Sequence, residues 1–129
     1  MNALGKRLAE MAFPGMVIGL VGDLGTGKTT LTKAIATALG IPDAITSPTF
    51  TILREYKTGR LPLYHFDVYR IGDPDEMYEL GFEEYFDGDG LTVVEWADLI
   101  EDLLPKDALV LHLSYGDVEE ERIVTGLGE

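Results

Sequence analysis

The sequence contains no cysteine, no glutamine and a single asparagine, Asn2. Without cysteine the chain can form no disulfide, and metal sites built on thiolates are excluded. Positive charge is also scarce, because ten Lys and Arg stand against 23 Asp and Glu, which gives a net charge of −13. Nucleic-acid backbones and anionic membranes are bound by clustered cations, so neither a broad nucleic-acid groove nor a membrane patch is expected.

Long apolar runs are missing as well. No stretch approaches the roughly 18 apolar residues of a transmembrane helix, and residues 1–15 lack an apolar run between basic flanks and a cleavage site. A cytoplasmic protein is therefore expected. Apolar residues make up 46% and charged residues 26% of the chain, close to globular averages, so residues 1–129 are predicted to form one domain.

The pattern of apolar residues predicts strands that alternate with helices. Residues 16–21 are a continuous apolar run, typical of a strand buried on both faces in a parallel sheet. Residues 28–39 predict a helix with one apolar face. Residues 49–56 and 61–70 predict a hairpin whose second strand has Tyr64, Phe66 and Val68 on one face and His65, Asp67 and Tyr69 on the other. A helix that is capped by Asp73 and runs to about Leu80 or beyond follows, then a strand at 91–96, a helix at 97–104, and strands at 108–113 and 122–127.

A glycine-rich turn joins the first strand to the next helix. Gly22-Asp-Leu-Gly-Thr-Gly-Lys28-Thr29 matches G-x-x-x-x-G-K-[ST] at every fixed position, and the motif requires this strand before it and this helix after it. The backbone N–H groups and the helix N-terminus would cradle a phosphate. Lys28 is expected to reach the β- and γ-phosphates, and the Thr29 hydroxyl to bind Mg²⁺. We therefore predict an α/β fold with a P-loop NTPase-type sheet, in which central parallel strands have an antiparallel hairpin edge and helices flank the sheet.

Phosphate transfer also needs a carboxylate near the metal and a means of positioning water. Glu95 ends a strand, where ligands bind in open α/β sheets, and Asp67 lies on the polar face of another strand. One is predicted to hold the metal and the other to position the attacking water. The alternatives are a surface residue for Asp67 and a helix-capping partner for Glu95. The Ser47-Pro48-Thr49 segment fits either a switch segment or a proline-stiffened turn.

The local sequence pattern alone favours structural roles for two further residues. Trp96 is the sole tryptophan, and it is interpreted as a core or interface aromatic rather than a nucleotide contact. His65 is interpreted as a structural partner rather than a metal ligand, because no second histidine stands near it in the sequence.

Taken together, the motifs resemble the bacterial TsaE (YjeE) family. The resemblance rests on Gly22–Thr30, Ser47–Phe50, His65–Arg70 and Val94–Trp96, which occur in the family's order and spacing. Members are ATPases needed to form N6-threonylcarbamoyladenosine at position 37 of tRNAs that read codons beginning with A. The resemblance implies that ATP and Mg²⁺ are bound, that TsaB and TsaD are partners, and that tRNA is contacted only through their complex.

The same resemblance assigns roles to individual residues. It implies that ATP is bound by Asp23, Leu24, Gly25, Thr26, Gly27, Lys28, Thr29 and Thr30, with Thr49, Trp96 and Arg122 close to the nucleotide. Thr29 and Glu95 would be the metal ligands. Asp67 would serve hydrolysis in or next to the water shell of the metal, so that Asp67, Lys28 and Glu95 form the catalytic set.

Negative charge is concentrated in residues 73–121, which contain 17 acidic residues and one basic residue, Lys106. Such a segment fits a docking surface for a protein better than an RNA groove. A solvated helical surface is the alternative interpretation.

Two other functions share the phosphate loop. A small-molecule kinase would need an arginine-rich lid, but the five arginines are scattered along the chain. A GTP-dependent switch would need an N-K-x-D segment, which is absent because Ala3 follows the only asparagine. With no glutamine to orient water and no obvious arginine finger, hydrolysis by the chain alone is predicted to be weak and to rise with its partners.

Overall fold

The fold is an open sheet with helices on both faces. The computed structural model describes residues 2–22, 28–42, 53–69, 75–79, 81–115 and 122–125. The helices are α1 (Asn2–Met11), α2 (Lys28–Ala38), α3 (Glu76–Glu79), α4 (Phe82–Phe86) and a 3₁₀ helix (Ala97–Leu103). The strands are β1 (Val17–Val21), β2 (Leu53–Tyr56), β3 (Leu63–Asp67), β4 (Leu91–Glu95), β5 (Leu109–Tyr115) and β6 (Arg122–Thr125). No helix in these ranges has the length and apolar character needed to cross a membrane.

The six strands form one mixed sheet in the order β2-β3-β4-β1-β5-β6. β3, β4, β1 and β5 are parallel, while β2 and β6 pair antiparallel at the two edges. The apolar run of β1 therefore lies at the centre of the sheet, where both faces are covered. The predicted α/β fold with central parallel strands and an antiparallel hairpin edge is confirmed.

Each face of the sheet has its own apolar core. α1 and α2 cover the first face, where Leu8, Leu31 and Ile35 pack against strand residues such as Ile18 and Val93. The second face is covered by α3, α4 and the 3₁₀ helix, in a cluster rich in aromatic rings that includes Tyr64, Phe66, Met77, Phe82 and Phe86. Alternating side chains of one strand therefore enter two separate cores.

α1 packs against α2 at Gly5. A Cβ added to Gly5 would lie 2.8 Å from the carbonyl carbon of Ala34 and 2.9 Å from the nitrogen of Ile35. Such distances are too short for any side chain, so the two helix backbones approach closely only because residue 5 is glycine. α2 follows the phosphate loop, and α1 thus supports the helix on which the predicted site depends.

The structure differs from the sequence prediction in its helices. α1 was not predicted. The helix predicted from Asp73 to about Leu80 or beyond is described only as the four-residue α3, and the cap at residues 71–74 lies outside the described residues. Gly81, with φ of 69°, separates α3 from α4. The helix predicted at 97–104 is a 3₁₀ helix interrupted at Ile100, where φ is −128°.

Candidate active site

The two predicted carboxylates lie side by side at the carboxyl edge of the sheet. Asp67 is the last residue of β3 and Glu95 the last residue of β4, and the two are register partners. β1 lies on the other side of β4, where its Leu20 pairs with Glu95. β1 ends at the next residue, Val21, and the phosphate-loop motif begins at Gly22. Because these strands are parallel, both carboxylates and the start of the loop meet at one edge, the usual ligand position in such sheets.

The remaining predicted site residues are distributed around this edge. Lys28 and Thr29 form the first turn of α2, and Thr30 follows them with an exposed side chain. Arg122 begins β6 and pairs with Tyr115, the last residue of β5, which puts its backbone at the same edge. Asp23, Leu24, Gly25, Thr26, Gly27 and Thr49 lie outside the described residues.

Glu95 is held inside the protein by a histidine. His65 Nε2 lies 2.5 Å from Glu95 Oε2, and their exposed fractions are 0% and 2%. His65 pairs in register with Val93, so His65 and Glu95 are diagonal neighbours on the face covered by α1 and α2. The alternation of β3 predicts a polar face that includes His65. This prediction is wrong for His65, because α1 and α2 cover this face of the sheet and bury the ring.

Asp67 is more open and is fixed through its own turn. Its Oδ1 accepts a hydrogen bond from the backbone N–H of Tyr69 at 3.1 Å. The backbone N–H of Val68, which lies between Asp67 and Tyr69, donates to the Glu95 carbonyl at 3.3 Å and continues the pairing of β3 with β4. The side chain of Asp67 is half-buried, which leaves part of it accessible at the edge.

The donor set at this edge fits Mg²⁺. In the described part of the chain there is no group of three or more His, Asp and Glu arranged to hold a metal. Mg²⁺ does not need one, because it binds through one or two carboxylates together with phosphate oxygens and water. Glu95 and Asp67 end their strands with carboxylates, which are donors of this kind, while the side chain of Thr29, the other predicted metal ligand, lies outside what the structure describes.

The residue after Glu95 has an unusual backbone. Trp96 has φ of 62°, and it is the one non-glycine residue with positive φ among those that the structure describes. A bulky side chain is rarely found in this left-handed region, and such strain clusters at functional sites. The Trp96 ring contacts Tyr69, with centroids 4.7 Å apart and planes tilted by 42°. Tyr69 was not predicted as a site residue, since only the end of the neighbouring strand brings it to Trp96.

A separate groove of about 890 Å³ runs between α1 and α2. Lys6, Lys33 and Arg60 contribute cations to its walls, Glu10 contributes a carboxylate, and Thr30 lies among its lining residues. Neither strand-end carboxylate lines this groove. Among the predicted site residues that the structure describes, Thr30 thus faces a different part of the surface from Asp67 and Glu95.

Comparison with known proteins identifies the family. A family model described as "Threonylcarbamoyl adenosine biosynthesis protein TsaE" matches residues 1–124. The chain belongs to the TsaE family. The family acts in tRNA threonylcarbamoyladenosine biosynthesis, and the resemblance seen in the sequence motifs is confirmed.

Curated TsaE proteins from several bacteria are similar to this chain. The TsaE protein of Bacillus subtilis is 51% identical over 128 residues, which cover 98% of this chain and 80% of that protein. The TsaE protein of Nostoc is 42% identical, with 88% and 72% covered, and that of Haemophilus influenzae is 34% identical, with 91% and 77% covered. All three are named as tRNA threonylcarbamoyladenosine biosynthesis proteins.

A solved structure has the same fold. The crystal structure of YdiB from Bacillus subtilis superposes with a TM-score of 0.81 at 46% identity, and the match covers 95% of this chain and 74% of that chain.

Proposed function

We propose that this chain is an ATPase that binds and hydrolyses ATP with Mg²⁺ in support of a TsaB–TsaD complex. The observation that carries the proposal is the register pairing of Asp67 with Glu95 at the sheet edge where β1 enters the phosphate-loop motif. A phosphate cradle formed by this motif would then lie beside two carboxylates, and these are the parts that nucleotide hydrolysis needs.

Each part of the site has a distinct task in the proposed reaction. The loop N–H groups and Lys28 would bind the phosphates and stabilise charge on them, while Thr29 and Glu95 would hold the metal. Mg²⁺, when bound, supplies further stabilisation of the charge that develops on the phosphate oxygens. The half-buried Asp67 would orient the attacking water and accept its proton. Its hydrogen bond with the Tyr69 N–H would keep the carboxylate at the edge.

The second face of the protein has the features expected of a docking surface for the proposed partners. The outer sides of α3, α4 and the 3₁₀ helix carry exposed carboxylates, among them Glu79, Glu83, Glu84, Asp98, Glu101 and Asp102. Two large apolar side chains of the same layer are also exposed, Tyr78 at 55% and Leu99 at 40%. Acidic residues steer a basic partner, and exposed apolar residues provide contact area. We propose that TsaB and TsaD dock here and that tRNA is reached only through their complex.

Phosphate release from ATP tests the proposed activity. The purified chain with Mg²⁺ is expected to hydrolyse ATP slowly, to turn over faster when TsaB and TsaD are added, and to lose activity in Lys28→Ala. Assays with labelled γ-phosphate and candidate acceptors run beside it. Transfer to an acceptor would replace the ATPase with a kinase, and full turnover in Lys28→Ala would refute the site.

The docking surface has its own test. The double variant Glu101→Lys and Asp102→Lys reverses the charge of two exposed residues of the 3₁₀ helix, neither of which is a predicted site residue. We expect its basal hydrolysis to match the wild type and its stimulation by TsaB and TsaD to fall, most strongly at low salt. Equal stimulation of variant and wild type would contradict docking at this surface.

A further inference from the structure

The buried contact between His65 and Glu95 is the strongest polar feature of the core beside the site. The described residues include four buried polar or charged side chains, Thr32, His65, Thr92 and Glu95, and two of these contact each other. Burying an ionisable group costs free energy unless a partner compensates it. A pair of ionisable groups in a layer made mainly of apolar side chains therefore needs a reason beyond packing.

The geometry defines which atoms act. His65 Nε2 and Glu95 Oε2 lie 2.5 Å apart. A carboxylate that binds a metal is ionised and can only accept hydrogen bonds, so in the proposed site Nε2 is the donor. The other ring nitrogen, Nδ1, is buried and has no hydrogen-bond partner among the described residues. The contact with Glu95 is thus the polar interaction that orients the ring, and the ring in turn fixes one oxygen of the carboxylate.

We propose that His65 is a positioning residue for Glu95, holding its carboxylate in the orientation that binds Mg²⁺. This inference rests on the proposed function, in which Glu95 is a metal ligand. A glutamate side chain has three rotatable bonds, and rotation would swing its oxygens away from the metal. Anchoring one oxygen to a fully buried ring on the neighbouring strand removes that freedom before the metal arrives. Partners behind a metal ligand typically change metal affinity by about 10–100-fold when they are lost.

Two substitutions of His65 separate the hydrogen bond from the volume of the ring. His65→Leu removes the donor and keeps an apolar side chain of similar size. His65→Gln retains an N–H group at the end of a flexible side chain and serves as the conservative variant. Val93→Ala is the matched control, because Val93 is buried directly opposite His65 on β4 and its truncation loosens the same core without removing a polar contact.

The measurement is calorimetric binding of a non-hydrolysable ATP analogue as Mg²⁺ is titrated, repeated with the metal chelated. We expect His65→Leu to raise the Mg²⁺ concentration for half-maximal effect by about 10–100-fold, with metal-free nucleotide affinity unchanged. His65→Gln should recover most of the loss, and Val93→Ala should behave like the wild type. Thermal melting of each variant establishes that it is folded.

The outcomes distinguish this inference from the proposed function. If the wild type shows no Mg²⁺-dependent binding of nucleotide, the proposed function fails. If the wild type does bind but folded His65→Leu needs no more Mg²⁺, the positioning role is refuted while the ATPase proposal stands. A rise in Val93→Ala equal to that in His65→Leu would also refute it, because general loosening of the core would then explain the effect. Should His65→Leu fail to fold, His65→Asn replaces it, since its shorter amide does not reach Glu95.

Discussion

The close approach of α1 and α2 at Gly5 gives a stability prediction whose sign depends on two opposing effects. Replacing Gly5 with alanine improves helix propensity by at most about 1 kcal/mol. The new Cβ, however, would lie 2.8 Å and 2.9 Å from backbone atoms of Ala34 and Ile35. No side-chain rotation relieves an overlap with backbone, so α1 has to move away from α2. Overpacking typically costs about 1–3 kcal/mol. An overlap with backbone falls in the upper part of that range, so the steric effect exceeds the gain in propensity.

We expect Gly5→Ala to lower the free energy of unfolding by about 1–2 kcal/mol, or to lower Tm by about 4–8 °C in a domain of this size. Urea unfolding followed by circular dichroism measures it, with an unchanged denaturant slope as the sign that only stability has changed. Lys6→Ala, an exposed change at the next position of α1, is the control and should stay within about 0.5 kcal/mol of the wild type. A Gly5→Ala protein as stable as the wild type would show that the approach of the helices is not constrained by residue 5.

Three further predictions concern the core, the pH dependence and hydrolysis. Phe66→Ala should lose about 3–5 kcal/mol in denaturant melts, because the fully buried ring packs edge-to-face on two rings of α4, with centroids 5.7 and 6.0 Å away. The hydrogen bond from the Tyr64 hydroxyl to Asp89, together with burial, raises the pKa of Tyr64 to about 12. The stability that this tyrosine contributes is thus complete below pH 10 and lost as the pH rises towards 12. Asp89→Asn should lower the pKa of Tyr64 in an absorbance titration. An unchanged titration midpoint would contradict the role of the Asp89 hydrogen bond. Asp67→Asn should slow hydrolysis about 100–10,000-fold with ATP still bound, since the amide oxygen can still accept the turn N–H; lost binding would instead make Asp67 a metal ligand.

Features encoded by neighbouring residues could be predicted from the sequence. The strand before the phosphate loop, the helix after it and the hairpin each have a local pattern, and the structure confirms all three. α1 was missed although Leu4, Leu8 and Met11 recur at helical spacing. Gly5 lowers its helix propensity, and its stability comes from packing on α2. α4 begins at a left-handed glycine, Gly81, which the sequence does not distinguish from an ordinary turn.

The candidate site also has features that a local sequence pattern predicts and features that depend on contacts between distant residues. Asp67 and Glu95 could be found because each ends a strand, and the parallel order then brings them together. The alternation of β3 separates its two faces but cannot show that helices cover both, so the burial of His65 was missed. Its contact with Glu95 joins residues 30 positions apart in the chain. The contact of Trp96 with Tyr69 likewise depends on the pairing of two strand ends. The roles of the site residues stay predictions.

The central position of β1 has a consequence for how the protein is made. β1 precedes both of its neighbours in the chain, since its Ile18 pairs with Val93 of β4 and with Leu109 of β5. About 75 residues separate Ile18 from Val93, and at about 5–20 residues per second a ribosome needs roughly 4–15 s to add them. Throughout that interval the apolar segment Val17–Val21 has no strand beside it. The hairpin of β2 and β3 can form meanwhile, but it reaches β1 only through β4. The arrival of β4 is thus the moment at which the nascent chain can join β1 to the hairpin, and until then the apolar residues of β1 have no neighbouring strand to pair with.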